Sequence, residues 1–373
     1  MKIFLLISSF IIGFILLGNY MLNLNFENDL YNQINKAFIN ANIPGMSVIV
    51  INNNKISKDF NFGYSNIETH KKITSDTLFQ AGSISKSIAA VDLLVLATQY
   101  NINLNTNVNK YLKSWHLSYS KYPNSFVTLN QLLSMTSGVN VSSFRGYDRE
   151  IPLPKLLDIL NGTSPANSGM VNLDNIPGKQ YTYSGGGYTI IEQVLEDVAH
   201  ANFIYLTQKL IFTPLQMEHS TYNATQNYDY SFAYTKNNTR VAGGWNVYPE
   251  YAAAGLWTNA GDLAKFSVAV MEAYQNRSSI LKFGQIKEIF KIQPNSYYGQ
   301  GFYIDESKSN TLIVSKGGAT YGFRSMIVLF PNSGNGIVIM TNSENGTKLI
   351  KEIISIITSY YSWPNVKFTD PMG

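Results

Sequence analysis

The chain has 373 residues and is 45% hydrophobic, enough to bury one large core or a core with a second lobe, and only 14% of its residues are charged. A formal net charge of +4, with no basic stripe interleaved with aromatics, gives no sign of a nucleic-acid partner. The absence of cysteine excludes disulfides, thiol catalysis and thiolate-ligated metals, while His70, His116, His200 and His219 lie far apart without ligand spacing, so no metal or other cofactor is implied.

At the N-terminus Lys2 precedes an apolar run ending near Gly18, which reads as a signal peptide or membrane anchor over 1–20. A small-x-small cleavage box is missing, and the run is near the lower limit for crossing a bilayer. The expected location is exported, either periplasmic or extracellular or attached to the membrane by this segment. A polar, helix-compatible stretch at 26–40 leads to Pro44-Gly45, an extended run at 46–51, turn residues Asn52, Asn53 and Asn54, and a second extended run at 55–64. The pattern predicts a hairpin.

The middle of the chain is more helical. Thr128-x-x-Gln131 before Leu132-Leu133 is a capping box, and Asn259 to Asp262 opens a helix running through Phe266 and Met271. Strands return at 311–314, 324–330 and 336–340, with a turn at 331–335. A final helix at 347–360 carries Leu349, Ile350, Ile353, Ile354, Ile356 and Ile357 on one broad face. Strands at both ends around a helical insertion predict an α+β domain over 25–365: an antiparallel sheet flanked by helices, with a sheet lobe from 42–80 and 296–362 and a mainly helical lobe at 84–290.

Three segments carry candidate chemistry. In the first, Ser83-Ile84-Ser85-Lys86 opens a long apolar helix, and residues three apart share a helix face. A lysine among apolar neighbours is a candidate base, because desolvation disfavours its charge. The same spacing recurs at Ser118–Lys121 and Ser279–Lys282 without the apolar helix, and a lone Ser83 would read equally as a helix N-cap. In the second, Tyr183-Ser184-Gly185-Gly186-Gly187 precedes an apolar helix; a phenol beside an ammonium gains stability as phenolate, which makes Tyr183 a candidate base or acid, though alone it would be a packed aromatic. In the third, Lys316-Gly317-Gly318-Ala319 reads as a strand whose glycines admit substrate backbone, with the Ala319 N–H joining that of Ser83 as an oxyanion hole and Lys316 supplying positive charge; alone the glycines would be a hairpin turn.

Taken in order, these segments resemble the penicillin-recognising serine hydrolases, in the branch of class C β-lactamases, D-alanyl-D-alanine carboxypeptidases, D-aminopeptidases and related esterases. Ser83-Ile84-Ser85-Lys86 matches the family's Ser-x-x-Lys, Tyr183-Ser184-Gly185 its Tyr-x-Asn, and Lys316-Gly317-Gly318 its Lys-Thr-Gly or His-x-Gly. Flanking runs such as Pro44-Gly45-Met46-Ser47, Thr136-Ser137-Gly138, Ala254-Gly255-Leu256-Trp257 and Gly322-Phe323-Arg324-Ser325 extend the resemblance over about 30–345. The resemblance implies a β-lactamase/transpeptidase-like fold with the active site between its lobes, and acyl-enzyme formation on Ser83 managed by Lys86 and Tyr183. Substrate contacts are implied at Lys316, Gly318, Ala319 and position 185.

One departure matters. Gly185 stands where the family has asparagine, removing an amide that in relatives contacts the substrate amide carbonyl and the lysine, and Gly317 replaces a hydroxyl residue found in many. Loss of such contacts weakens selection for amides more than attack on an ester. The expected substrates are therefore D-amino-acid peptides or small esters, cell-wall fragments among them, ahead of β-lactams. The alternatives are a true class C-type β-lactamase, a non-hydrolysing sensor of penicillin or peptidoglycan fragments, and a scaffold sharing the fold.

Overall fold

The computed structural model describes residues 29–224, 227–278, 283–306 and 311–366. The leader expected at 1–20 and the serine–lysine pair at 279–282 lie outside these residues. Helix α1 (29–41) leads to β1 (Gly45–Asn52) and β2 (Lys55–Asn66), joined by Asn53 and Asn54 at φ 51° and 58°. Two consecutive left-handed residues make the tight turn whose twist matches a hairpin, and asparagine tolerates that conformation.

After β3 (Lys71–Lys72) and β4 (Phe79–Gln80) the chain enters α2 (Ser85–Gln99), then α3 (Leu129–Leu133), α4 (Leu156–Asn161), α5 (Gly185–Ala199) and α6 (Phe203–Thr207). A one-turn helix α7 (Tyr251–Ala254), strand β5 (Trp257–Thr258), α8 (Ala260–Tyr274) and α9 (Phe283–Ile289) bring it back to β6 (Tyr303–Glu306), β7 (Leu312–Thr320), β8 (Phe323–Phe330), β9 (Asn335–Thr341) and α10 (Gly346–Tyr360). The capping box at Thr128 is formed with Gln131, and the Asn259 side chain caps α8 through the Asp262 N–H.

The main sheet is antiparallel, in the order β3-β2-β1-β9-β8-β7-β6, so the two ends of the chain meet where β1 pairs with β9. Its strands sort their apolar residues by the period of two. Val48 and Val50, Met326 and Val328, Ile337 and Ile339 face a layer formed with α1 and α10; Ile49 and Ile51, Ile327 and Leu329, Val338 and Met340 face the larger core on the other side. Helix α10 buries Leu349, Ile350, Ile353, Ile354 and Ile357, with Ile356 at the half-buried edge. Helix α8, within the stretch predicted as helical lobe, packs on the second face of the sheet against β1, β8 and β9.

Helix α2 has no solvent face over most of its length. Ser85, Lys86, Ser87 and Asp92 are buried along with its apolar residues, the pattern of a central helix. The Asp92 carboxyl accepts a 2.6 Å hydrogen bond from Thr207, yet burial pushes it from its ordinary 3.8 to about 8. A carboxyl raised by folding contributes stability that is complete below the unfolded value and lost as pH rises through the folded one. Urea denaturation should therefore show stability falling between pH 5 and 8, by up to about 1.4 kcal/mol per pH unit from this group. Asp92→Asn should reduce that slope by up to the same amount, leaving the share of the other buried carboxyls Glu192 and Glu250; an unchanged slope would remove Asp92 as a source.

Candidate active site

Ser83 is placed by a backbone corner. Strand β4 pairs with β5, the Ala81 N–H donates to Leu256 O at 2.9 Å, and Gly82 turns at φ 54° into a 3-10 turn (Gly82–Ile84) that feeds α2. Serine 83 thus sits just ahead of α2 rather than within its first turn, and it caps nothing. The local polar groups are satisfied by Ser85, whose hydroxyl donates to Gly82 O at 2.6 Å and accepts from the Leu256 N–H at 3.1 Å. Within a buried run Ser83 alone is half-exposed.

Lys86 reaches back from α2, as the three-residue spacing predicts. Its side chain is 2% exposed, and Nζ donates to Ser83 Oγ at 3.1 Å and to Ala253 O of α7 at 2.6 Å. From the other side the Tyr183 hydroxyl donates to Ser83 Oγ at 2.7 Å. The backbone beside Tyr183 is fixed on both flanks: the Thr182 N–H donates to Met135 O at 2.7 Å, and Ser184 caps α5 through the Gly187 N–H while donating to Asn140 O.

The three glycines after Ser184 form the first turn of α5 rather than a loop ahead of it. The N–H groups of the first two are paired by a neighbouring loop, Gly185 to Ser142 O at 3.0 Å and Gly186 to Val141 O at 2.9 Å. At Gly185 a Cβ would meet the Phe144 ring at 3.0 Å and Ser142 O at 3.1 Å. The place of the missing side chain is therefore taken by an aromatic ring and a carbonyl.

Lys316 and Gly317 to Thr320 form the end of β7. The outer neighbour β6 stops pairing at Ser315, which leaves this edge to the Ser83 turn. The approach is close: a Cβ on Gly318 would lie 1.9 Å from Ala81 O, and Ser325 Oγ from β8 donates to that oxygen at 2.8 Å. Ala319 is half-exposed at the same edge. Lys316 is fully buried, with Nζ 5.1–5.2 Å from the ring centres of Tyr183, Tyr298 and Tyr303 and without a hydrogen-bond partner among the described residues. Lys316 Nζ thus lies against the face of Tyr183, whose ring is also 5.2 Å from Lys86 Nζ.

The structure thus brings together Ser83, Lys86, Tyr183 and Lys316, with Gly318 and Ala319 beside the Ser83 turn and Gly185 two residues beyond Tyr183. Ser118 and Lys121 are separate: Ser118 bonds Ser120 and Lys121 bonds Asp174 O. Sequence reasoning missed Ala253, whose carbonyl anchors Lys86, Tyr298 and Tyr303 beside Lys316, the Phe144 ring and the buried Glu250. None sits in a local motif, although Glu250 lies four residues before Ala254-Gly255-Leu256-Trp257. Among the described residues no group of three or more His, Asp or Glu side chains could hold a metal ion.

The profile of the family described as Beta-lactamase matches residues 30–355. Protein flp of Staphylococcus aureus (strain MW2) is 25% identical over 350 residues, 87% of this chain; the chain spans 65% of that relative's length, just under two thirds. The teichoic acid D-alanine hydrolase of Staphylococcus aureus (strain MRSA252) is 24% identical over 288 residues, covering 75% of this chain and 67% of the relative. Two solved structures share the fold at 20% identity. The octameric penicillin-binding protein homologue from Pyrococcus abyssi has a TM-score of 0.75 over 90% of this chain and 78% of its own, and FmtA from Staphylococcus aureus has 0.71 over 92% and 93%. With its motifs gathered around Ser83 and the family profile spanning most of its length, the chain belongs to the Beta-lactamase family.

Proposed function

We propose that the protein is an exported serine hydrolase that forms an acyl-enzyme on Ser83 and acts on D-amino-acid esters, D-amino-acid peptides or small esters. The observation that carries this reading is the position of Ser83 Oγ, 2.7 Å from the Tyr183 hydroxyl and 3.1 Å from Lys86 Nζ. In the proposed reaction Ser83 Oγ attacks the substrate carbonyl while its proton passes to Lys86 and Tyr183. The oxyanion is met by the N–H groups of Ser83 and Ala319, the leaving group takes up the proton, and water then cleaves the acyl-serine ester. Lys316 adds positive charge behind Tyr183.

One observation favours esters within this class, and a second supports a D-alanyl substrate. The Phe144 ring and Ser142 carbonyl occupy the side-chain space at Gly185, so that position offers no amide to a substrate. The relative named as a teichoic acid D-alanine hydrolase acts, by that name, on the D-alanine of teichoic acid, which supports a D-alanyl substrate. A substrate from the cell wall fits an exported enzyme, with or without the N-terminal segment as a membrane anchor.

The test is intact-protein mass after exposure to a fluorophosphonate or to a penicillin, with Ser83→Ala as control. A fluorophosphonate adduct absent from the variant is expected, along with faster turnover of a D-alanyl ester than of D-alanyl-D-alanine or penicillin. Tyr183→Phe should slow labelling by about 10²–10⁴. Gly318→Ala, which must push β7 away from Ala81, should slow it by about a hundredfold, the cost of a displacement on the order of 1 Å. No adduct on folded wild-type protein would refute the reading and favour a binding or scaffold role.

A further inference from the structure

Two backbones touch beside Ser83: the turn that carries the serine and the end of β7. A Cβ on Gly82 would stand 2.7 Å from Ala319 N, and one on Gly318 would stand 1.9 Å from Ala81 O. The ladder bonds of each segment run elsewhere. Gln80 pairs with Trp257 and the Ala81 N–H with Leu256 O, while residues 314–320 pair with β8. Because β6 stops pairing at Ser315, β7 beyond that point is held by the sheet along its β8 edge. Its distance from the Ser83 turn therefore depends on side chains that cross between the two.

Ser325 of β8 crosses once, donating to Ala81 O at 2.8 Å. Gln80, three residues before Ser83, crosses again and uses both ends of its amide. Its Oε1 accepts from Thr320 Oγ1 at 2.7 Å, and its Nε2 donates to Asn246 O at 2.6 Å. Gln80 and Thr320 are both buried, and Thr320 directly follows Ala319. One residue further on, the Tyr321 N–H donates to the Tyr248 hydroxyl at 3.0 Å, so the segment at 246–248 backs the end of β7 at two points. Burying an amide costs desolvation that an apolar side chain of the same size avoids, whereas a fully bonded buried network fixes one geometry. Filling space at position 80 asks for no amide; holding Thr320 at a set distance does.

We propose that Gln80 is a positioning residue for the reaction at Ser83: through Thr320 it keeps the Ala319 N–H in register with the Ser83 N–H. The inference rests on the proposed acylation, in which those two N–H groups meet the oxyanion. Gln80 takes no proton in it and acts only through the backbone of β7.

The test is the rate of fluorophosphonate labelling of Gln80→Met, Thr320→Val, Thr320→Ser and the Gln80→Met/Thr320→Val double variant, each shown folded by circular dichroism, with Ser83→Ala as blank. Valine matches threonine in shape without its hydroxyl, and serine restores the hydroxyl. Gln80→Met and Thr320→Val should each slow labelling by about tenfold, part of the 10²–10³ that removal of an oxyanion donor costs. Thr320→Ser should stay within about twofold of wild type, and the double variant should be no slower than Gln80→Met, because both changes cut one link. For a D-alanyl ester the same loss should fall on kcat rather than KM. Variants labelled at the wild-type rate, Thr320→Ser as slow as Thr320→Val, or single effects that multiply in the double variant overturn the proposal and leave acylation at Ser83 standing. A folded wild type that takes no label overturns both. Should Gln80→Met fail to fold, Thr320→Val against Thr320→Ser decides alone.

Discussion

The structure depends on keeping a lysine side chain almost wholly out of water. Lys86 is 2% exposed within a helix that is apolar on nearly every side, and a buried ammonium is tolerated only where oxygen or π partners meet it. Its partners come from distant parts of the chain. Ser83 is local, Ala253 comes from α7, and the Tyr183 and Tyr188 rings, 5.2 and 5.8 Å away, come from the start of α5. Satisfying one cation therefore ties α2, α5 and α7 together, and the serine is held at the point where the three meet.

The sheet supplies the other wall through backbone rather than side chains. Because β6 ends opposite Ser315, the last residues of β7 lie against the Ser83 turn, and Gly318 lets the two backbones come within a distance that no side chain permits. Ser325 fastens the same point from β8 by donating to Ala81 O. An edge built of sheet backbone has few rotamers to lose, which is the condition that the proposed oxyanion hole would need to hold its N–H donors in place.

What was legible in the sequence is what local chemistry dictates. Continuous apolar runs marked β1, β8 and β9 as strands, asparagines in a row gave the hairpin turn, and Thr128 with Gln131 gave a helix start, since each depends on residues within a few positions. Ser83, Lys86 and Tyr183 could be singled out by spacing and order. The rest was hidden because its partners are nonlocal. No pattern marks Ala253, whose contribution is a main-chain carbonyl, or Lys316 as buried under three tyrosines. The glycines after Ser184 read as a loop because three in a row oppose helix; tertiary contact overrides this, since Ser142 and Val141 pair their N–H groups and Asn140 O leaves Gly186 no room for a Cβ.

Position 185 shows how packing and chemistry are joined. Relatives in the family place an amide there; here the Phe144 ring and Ser142 carbonyl crowd the space, so a side chain at 185 would have to shift the loop that packs on it. An amide substrate must have its carbonyl held and its poor leaving nitrogen protonated, and each lost polar contact raises that barrier. An ester leaves as an alkoxide of lower basicity and asks less of the site. Under the proposed acylation, replacing an amide by an aromatic ring would therefore cost ester cleavage less than amide cleavage, while Lys86 and Tyr183 keep their hydrogen bonds to Ser83 Oγ.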